Sequence, residues 1–412
     1  MVEEPVAEFD LWSLLAAVED APPVEAAEVL AAELARVLDA EAVRLLVTNM
    51  SGTALVRMSH VGPGEGWVAG RNERGESEEL AGSAYQDAMR SQRPQVSIHG
   101  NRSRVLVPVT ERGDALGLVE LWLREAPGEV LTARLAGVAH AFAYWLIAAR
   151  RHTDLFERAQ RDIAFSVPAE IQRRLLPPAY TVEAGPFSLA GWLEPAHDVG
   201  GDTFDYSVDR EHLHVSLTDA MGHSTSAALL ATLAVAALRN ARRSGAGPAD
   251  QADAANAELL AHTGSEAFVT GLVMRVGLGD GHLEVVNAGH PPPFLVRGSH
   301  VEQISVGAGV PLGVGDEPYQ TAVYLLEPGD RLVAVTDGCL ERNAARVDLP
   351  AVLAATTDLR PRELVRELSG RVLSATGGKL RDDATTVCVD WFGPGRVRHA
   401  TAGANPTLLD GP

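Results

Sequence analysis

The sequence predicts an α+β protein of two domains joined by a helical linker. Three observations carry that prediction. The chain has 412 residues, more than one typical hydrophobic core accommodates. A helical apolar pattern from about Leu131 to Leu176 separates two strand-containing halves. The second half carries enough strand runs for two sheets and enough apolar helices to cover both outer faces.

Composition narrows the class. An apolar fraction of 46% and a charged fraction of 22% are ordinary for a globular protein and exclude disorder of the whole chain. The net charge of −20, from 55 acidic and 35 basic residues, repels phosphate backbones and anionic lipid, so neither nucleic acid nor membrane is expected as a partner. Cys339 and Cys388 are the only cysteines, too few for a disulfide framework. The N-terminus, MVEEPVAEFD, lacks the basic region and apolar core of a secretory signal. The most apolar run, Leu135 to Ala149, contains His140, lies between Arg134 and Arg150, and is shorter than the roughly 20 residues that span a bilayer. It reads as a buried helix, and a cytoplasmic location is expected.

The N-terminal half begins with two helical patterns. Leu11, Leu14 and Leu15 mark the first and Ala27, Leu30, Leu34 and Leu38 the second, with Pro22 and Pro23 between them. Strands are expected at residues 42–48 and 54–60, a Gly-rich loop at 62–70, and a helix from about Glu78 to Arg90. Residues 105–109 and 116–123 read as a hairpin about Glu111-Arg112-Gly113-Asp114. His60 and His99 are the residues of this half that could ligate haem or a metal, but isolated histidines near strand ends read as surface or loop residues. One long helix is expected from Leu131 to Phe165, restarting after Ser166 and Pro168 with Val167, Ile171, Leu175 and Leu176 on its apolar face.

In the C-terminal half, strands are expected at 187–193, 268–276, 282–287, 293–297, 321–326 and 385–391, and helices at 224–240, 249–263 and 362–375. Leu213, Val215 and Leu217 alternate with His212, His214 and Ser216, a half-buried strand that stops at Asp219. Leu332 to Val335 run into Thr336-Asp337-Gly338, Asp382 and Asp383 precede Thr385 to Val389, and Asp202 leads another strand region. A lone Asp-Gly at a strand end makes only a turn. Several carboxylates gathered in one cleft repel one another by about 1 kcal/mol per pair even in water, so they need a cation. Oxygen ligation poor in His and Cys favours magnesium or manganese.

The ordered motifs Val199-Gly200-Gly201-Asp202, Thr218-Asp219-Ala220-Met221-Gly222-His223, Asn287-Ala288-Gly289-His290-Pro291-Pro292, Val335-Thr336-Asp337-Gly338 and Arg381-Asp382-Asp383-Ala384-Thr385 resemble the PPM serine/threonine phosphatases. They are most similar to the bacterial SpoIIE and RsbU branch, over about residues 170–392. Ala220 stands where that branch usually has Gly. Arg104 to Leu123 resembles the last two strands of a GAF domain. The implied architecture is a GAF-like sensor (1–135), a helical signalling linker (136–178), an α-β-β-α sandwich of the PPM kind (179–392) and a disordered tail (393–412).

The resemblance implies a site with two Mn2+ or Mg2+ ions. Asp219 would bridge them, Asp337 and Asp382 would complete one, the Ala220 carbonyl would bind the other, and Asp202 would hold it directly or through water. Asp205 and Asp383 are candidates for supporting a ligand, Asp383 also for binding an additional ion, and His223 for general acid or for capping the following helix. His290 is expected to shape a turn near the cleft. No basic residue between Trp192 and Asp202 matches the arginine with which eukaryotic relatives hold phosphate. Selectivity is therefore expected to come from a protein partner. The implied substrate is a phosphorylated STAS-type anti-sigma-factor antagonist, and the implied assembly is a homodimer through the GAF-like domain and linker helix. The sequence leaves the GAF ligand open, except that a bilin bound to a local thiolate is excluded. Two rival readings are a non-catalytic partner-binding pseudophosphatase and a two-metal phosphoesterase acting on a small molecule. The full set of four aspartates argues against the first, and the lack of a Gly-rich phosphate loop against the second.

Overall fold

The computed structural model describes residues 10–61, 77–161, 166–196, 201–222, 224–263, 266–307, 309–340 and 343–395. The chain divides into two compact units that meet in sequence between Ala164 and Phe165.

The first unit opens with α1 (Leu11–Asp20), capped by the Asp10 side chain, and α2 (Ala26–Leu38). Strands β1 (Ala42–Thr48), β2 (Ala54–Val61) and β3 (Ser77–Glu79) follow, then α3 (Ala84–Ser91), β4 (Gln95–His99), β5 (Arg102–Glu111) and β6 (Asp114–Leu123). They form one antiparallel sheet in the order β3-β2-β1-β6-β5-β4. Arg112 and Gly113, at φ 42° and 85°, turn β5 into β6 with the left-handed backbone that matches hairpin twist. One sheet face buries Leu30, Leu34, Leu45, Val107 and Leu121 with the helix α4 (Glu129–Ala149), and the other buries Leu46, Leu106 and Leu118 against Tyr85 of α3.

Three expectations for this half change. The helix expected from Glu78 starts at Ala84, because residues 77–79 pair with β2 and Ser83 supplies the N-cap. The long helix from Leu131 to Phe165 is interrupted: α4 ends at Ala149 and α5 spans Leu155–Gln160. Phe156 of α5 is 1% exposed among Val47, Val56 and Leu146, and Gln160 Nε2 donates to the Thr48 carbonyl at 2.8 Å. Burying that ring on the sheet outweighs continuing the helix, and the Thr153 hydroxyl accepts the Leu155 N–H at the restart. Residues 136–149, expected in the linker, are core: Ala136, Val138, Ala139, Phe142, Ala143, Leu146 and Ala149 are all buried. Among the described residues α4 is the one helix long and apolar enough to cross a bilayer by length and composition. The expected Gly-rich loop lies outside the described residues.

The second unit begins with α6 (Val167–Leu175), β7 (Thr181–Ala184), β8 (Phe187–Glu194), β9 (Asp202–Val208) and β10 (His212–Ala220). Next come α7 (Ser224–Arg243), α8 (Pro248–Thr263), β11 (Val269–Gly277), β12 (His282–Ala288), β13 (Phe294–Arg297) and β14 (His300–Gln303). The unit closes with β15 (Ala322–Leu325), β16 (Arg331–Val335), α9 (Leu349–Ala355), α10 (Pro361–Ala375) and β17 (Ala384–Trp391). Two antiparallel sheets result, β15-β12-β11-β10-β9 and β14-β13-β16-β17-β8-β7. Phe187, Leu189, Phe204, Leu217, Leu272, Val285 and Val389 interlock between them. Helices α7 and α8 cover the first sheet, and α9 and α10 the second. The α-β-β-α sandwich is therefore observed.

Strand β10 is buried on both faces, not half-buried, because α7 covers its polar side: His214 and Ser216 are each 7% exposed. The short elements β7, β14 and α9 carry too few residues for their periodicity to stand out. Of the expected tail, residues 396–412 lie outside the described residues.

Candidate metal centre

Strand register builds the site. β9 and β10 are antiparallel, and Asp202 is the direct cross-strand partner of Asp219. Side chains so paired have Cβ atoms about 5 Å apart on one face. Phe204 of β9 and Leu213, Val215 and Leu217 of β10 point into the core between the sheets. By the same alternation Asp202 and Asp219 belong to the inter-sheet face at its rim, while Ala220 packs on the α7 and α8 side.

The second sheet brings its own tips to that rim. The Thr336 N–H donates to the Thr385 carbonyl at 3.0 Å, and the Thr385 N–H donates to Thr336 Oγ1 at 2.9 Å. Both hydroxyls then donate to Asp202 Oδ2, Thr336 at 2.7 Å and Thr385 at 2.6 Å. Asp337, next to Thr336, opens a single 3₁₀ turn, Asp337–Cys339. A Cβ added to Gly338 would lie 2.0 Å from the Asp383 carbonyl oxygen, and one added to Gly201 would lie 2.7 Å from the Ala220 carbonyl oxygen. Only glycine permits these approaches. Asp202, Asp219, Ala220, Asp337, Asp382 and Asp383 are thereby gathered at one edge of the sandwich.

The acids at this edge are costly to ionise together. Asp202 is 2% exposed, and burial first, then Asp219 and Asp383, raise its pKa well above the usual carboxylate range against the pull of the two threonine hydroxyls. Asp383 is 1% exposed, and burial raises its pKa to about 6 despite hydrogen bonds from the Ala196 N–H and the Gln172 amide. In the metal-free protein the native state therefore binds more protons than the unfolded chain between about pH 4 and pH 6. Native stability falls as pH rises through that window. Asp383→Asn is expected to flatten this slope without abolishing it, since Asp202 titrates in the same direction. Denaturant midpoints of chelator-treated protein at pH 4.5 and 7 measure the change.

Several groups escaped the sequence reading. Gln172 of α6 is 3% exposed and donates through Nε2 to the Asp202 carbonyl at 2.8 Å and to the Asp383 carboxylate. The buried face of α6 is thus Pro168, Gln172 and Leu176; Val167, expected on that face, is 68% exposed. A glutamine within an apolar helical stripe was the available signal. His290, 4% exposed, does more than shape a turn. Its Nδ1 contacts Thr270 Oγ1 at 2.9 Å, and Thr270 is the β11 partner of Asp219. Burial lowers its pKa to about 4, so the ring is neutral.

Asp205 requires a correction. Its carboxylate accepts from Arg239 Nε at 3.0 Å and Nη2 at 2.8 Å and from Arg242 Nη1 at 2.9 Å. Three residues from Asp202 on a strand of period two, it faces the helices and anchors α7 instead of supporting the carboxylate cluster. His223, the candidate general acid, lies outside the described residues.

The donor set fits hard divalent ions. It offers carboxylates and a carbonyl, with buried like charges that repel in the absence of a cation. Asp202 Oδ2 is saturated by hydroxyls, which leaves Oδ1 as its donor. An acidic-histidine group, Asp209, His212 and His214, sits towards the far end of β10, with His214 about 17 Å and His212 about 23 Å from Asp219 at ~3.3 Å per residue. It is no part of this centre.

Residues 209–392 match the family described as Stage II sporulation protein E (SpoIIE). The phosphoserine phosphatase RsbU of Bacillus subtilis (strain 168) is 22% identical over 237 residues, covering 56% of this chain and 69% of that protein. Among solved structures, the RsbU and RsbW domains of a Mycobacterium tuberculosis protein align with TM-score 0.48 at 23% identity, covering 53% of this chain and 63% of that one. The phosphatase domain of Bacillus subtilis SpoIIE with a fragment of its regulatory domain aligns with TM-score 0.44 at 20% identity, covering 50% of this chain and 63% of that one. The matched family segment contains Asp219, Ala220, Asp337, Asp382 and Asp383 but starts after Asp202, whose place in the centre comes from register and hydrogen bonding alone. The match to the Stage II sporulation protein E family thus covers residues 209–392, the part of the second unit that runs from β10 to β17.

Proposed function

We propose that this chain is a manganese- or magnesium-dependent protein serine/threonine phosphatase. The observation that carries the reading is the Asp202–Asp219 pair, set opposite across two strands and tied by Thr336 and Thr385 to the tips that bear Asp337 and Asp382. Asp219 would bridge two ions, Asp337 and Asp382 would complete one, and Asp202 Oδ1 with the Ala220 carbonyl would hold the other. Bound there, the ions supply a water of lowered pKa and neutralise charge on the phosphoryl oxygens. The protein's own part is positioning. The two threonine hydroxyls fix the Asp202 carboxylate, and Gln172 with the Ala196 N–H holds Asp383 so that the adjoining Asp382 keeps its place.

The substrate we infer is a phosphorylated STAS-type anti-sigma-factor antagonist, in keeping with the phosphoserine phosphatase RsbU. Phosphate release from such a protein, with and without Mn2+, is compared with release from p-nitrophenyl phosphate. Metal-dependent release from the phosphoprotein at far higher kcat/KM supports the reading. Equal turnover of the small ester would favour a small-molecule phosphoesterase, and no turnover of either would favour a pseudophosphatase.

The first unit we read as a GAF-like sensor and dimerisation module, from its six-stranded antiparallel sheet with helices on both faces. Control would pass through α6, which carries Gln172 to the Asp202 and Asp383 segments. Leu175→Asp and Gln172→Leu are expected to change basal phosphate release at least tenfold while leaving the fold of the first unit untouched. Wild-type turnover in both variants would make α6 a spacer.

A further inference from the structure

The pole of the second unit opposite the carboxylate edge carries a separate group of ligand-type side chains. The β9–β10 hairpin turns through Asp209, Arg210 and Glu211, and Asp209 Oδ1 accepts the N–H groups of Glu211 at 2.8 Å and His212 at 2.7 Å. That bond pair fixes the carboxylate. Its Oδ2 lies 3.0 Å from His214 Nε2, and Oδ1 lies 3.6 Å from His212 Nδ1. One ligand atom from each of the three residues falls within 4.8 Å of the others. Two donors about 2.0–2.1 Å from a tetrahedral zinc are ~3.4 Å apart, close to the spacings found here.

The ring of His214 is buried with its Nε2 turned to the hairpin carboxylate. It is 7% exposed, and its Nδ1 is buried with no hydrogen-bond partner. An ion bound at Nε2 would replace the bond to Asp209 and place the ring proton on Nδ1. Burial, first of its influences, keeps the His214 pKa below the ordinary value against the pull of Asp209, which favours the neutral ring that a metal requires. The nearby cation, Arg242, is tied to Asp205. The β11–β12 turn comes alongside, with the Leu278 N–H on the Glu211 carbonyl at 2.7 Å, and it carries Asp280 and His282, themselves paired at 2.9 Å.

We propose that Asp209, His212 and His214 form a site for a divalent transition ion of borderline softness, for which zinc is the probe, distinct from the hard-ion centre at the other pole. The residue types decide the class: two imidazoles and one carboxylate suit zinc, nickel or copper, whereas magnesium prefers oxygen alone. The bound ion clips the hairpin onto β10, and the β11–β12 turn is the nearest source of a fourth ligand. Its consequence is stability, since the pole is remote from the carboxylates.

The test uses the full chain in excess Mg2+, which occupies the carboxylate edge, with Zn2+ added by calorimetric titration. The wild type is expected to take up one further equivalent of zinc and to melt at higher temperature with it. His212→Ala and Asp209→Asn are each expected to weaken that equivalent at least tenfold and to lose the melting shift, with phosphate release in Mg2+ unchanged. His300→Ala, an exposed histidine elsewhere, leaves both intact. Zinc uptake that survives both hairpin substitutions, or that falls equally in His300→Ala, is an adventitious ion only and overturns the proposal.

Discussion

Asp219→Asn is expected to lower metal-dependent phosphate release by about 10³-fold or more, equivalent to ~4 kcal/mol of lost transition-state stabilisation. The substitution keeps size and strand register, so the amide would still stand opposite Asp202. What it removes is the charge on which two ions would depend. The same change should stabilise the metal-free protein, because Asp219 is the first charged group that raises the Asp202 pKa after burial itself. A thermal melt in chelator is therefore expected to shift upward while activity disappears. This combination separates loss of a ligand from loss of fold. Wild-type activity in Asp219→Asn would remove Asp219 from the chemistry.

Gly338→Ala is expected to be nearly as damaging for a different reason. The added Cβ would sit 2.0 Å from the Asp383 carbonyl oxygen, 2.9 Å from its carbon and 3.4 Å from Ala384 Cα. All three are backbone atoms, which cannot rotate away. The Asp337 turn must then separate from the Asp382–Asp383 segment, straining the Thr336–Thr385 bonds and spreading the carboxylates. A hundredfold loss of activity is expected, with a stability cost of about 1–3 kcal/mol typical of overpacking. Gly370→Ala, in α10 with nothing within 4 Å of the added carbon, is the control and should stabilise by roughly 0.5–1 kcal/mol. Apparent Mn2+ affinity and melting temperature of both variants give the comparison. Unchanged metal affinity in Gly338→Ala would mean that the two tips need not touch.

The carboxylates were legible because period-2 strands end visibly: apolar alternation stops at Asp219 and resumes past Asp383, and the two-sheet sandwich follows from the order of such runs. Parity on a strand also explains the miss at Asp205. It lies three residues from Asp202, so it belongs to the opposite face, yet its pairing with Arg239 and Arg242 needs a helix 34 to 37 residues away. Thr336 and Thr385 looked like ordinary strand residues, since a hydroxyl's acceptor is chosen by tertiary packing across the sandwich. Gln172 was hidden for the same reason: its two acceptors are 30 and 211 residues distant. The break between α4 and α5 depends on where Phe156 finds a hydrophobic surface, and helical periodicity alone carries no information about that.

The proposed chemistry requires carboxylates from four strand tips to share a pair of hard cations. Anomalous diffraction at the manganese edge, from crystals of the full chain grown with Mn2+, tests it most directly. Two peaks are expected, both within bonding distance of Asp219, with Asp337 and Asp382 on one and Asp202 or its bound water on the other. Manganese found only away from that edge, or no peak shared by Asp202 and Asp219 at saturating metal, would contradict it.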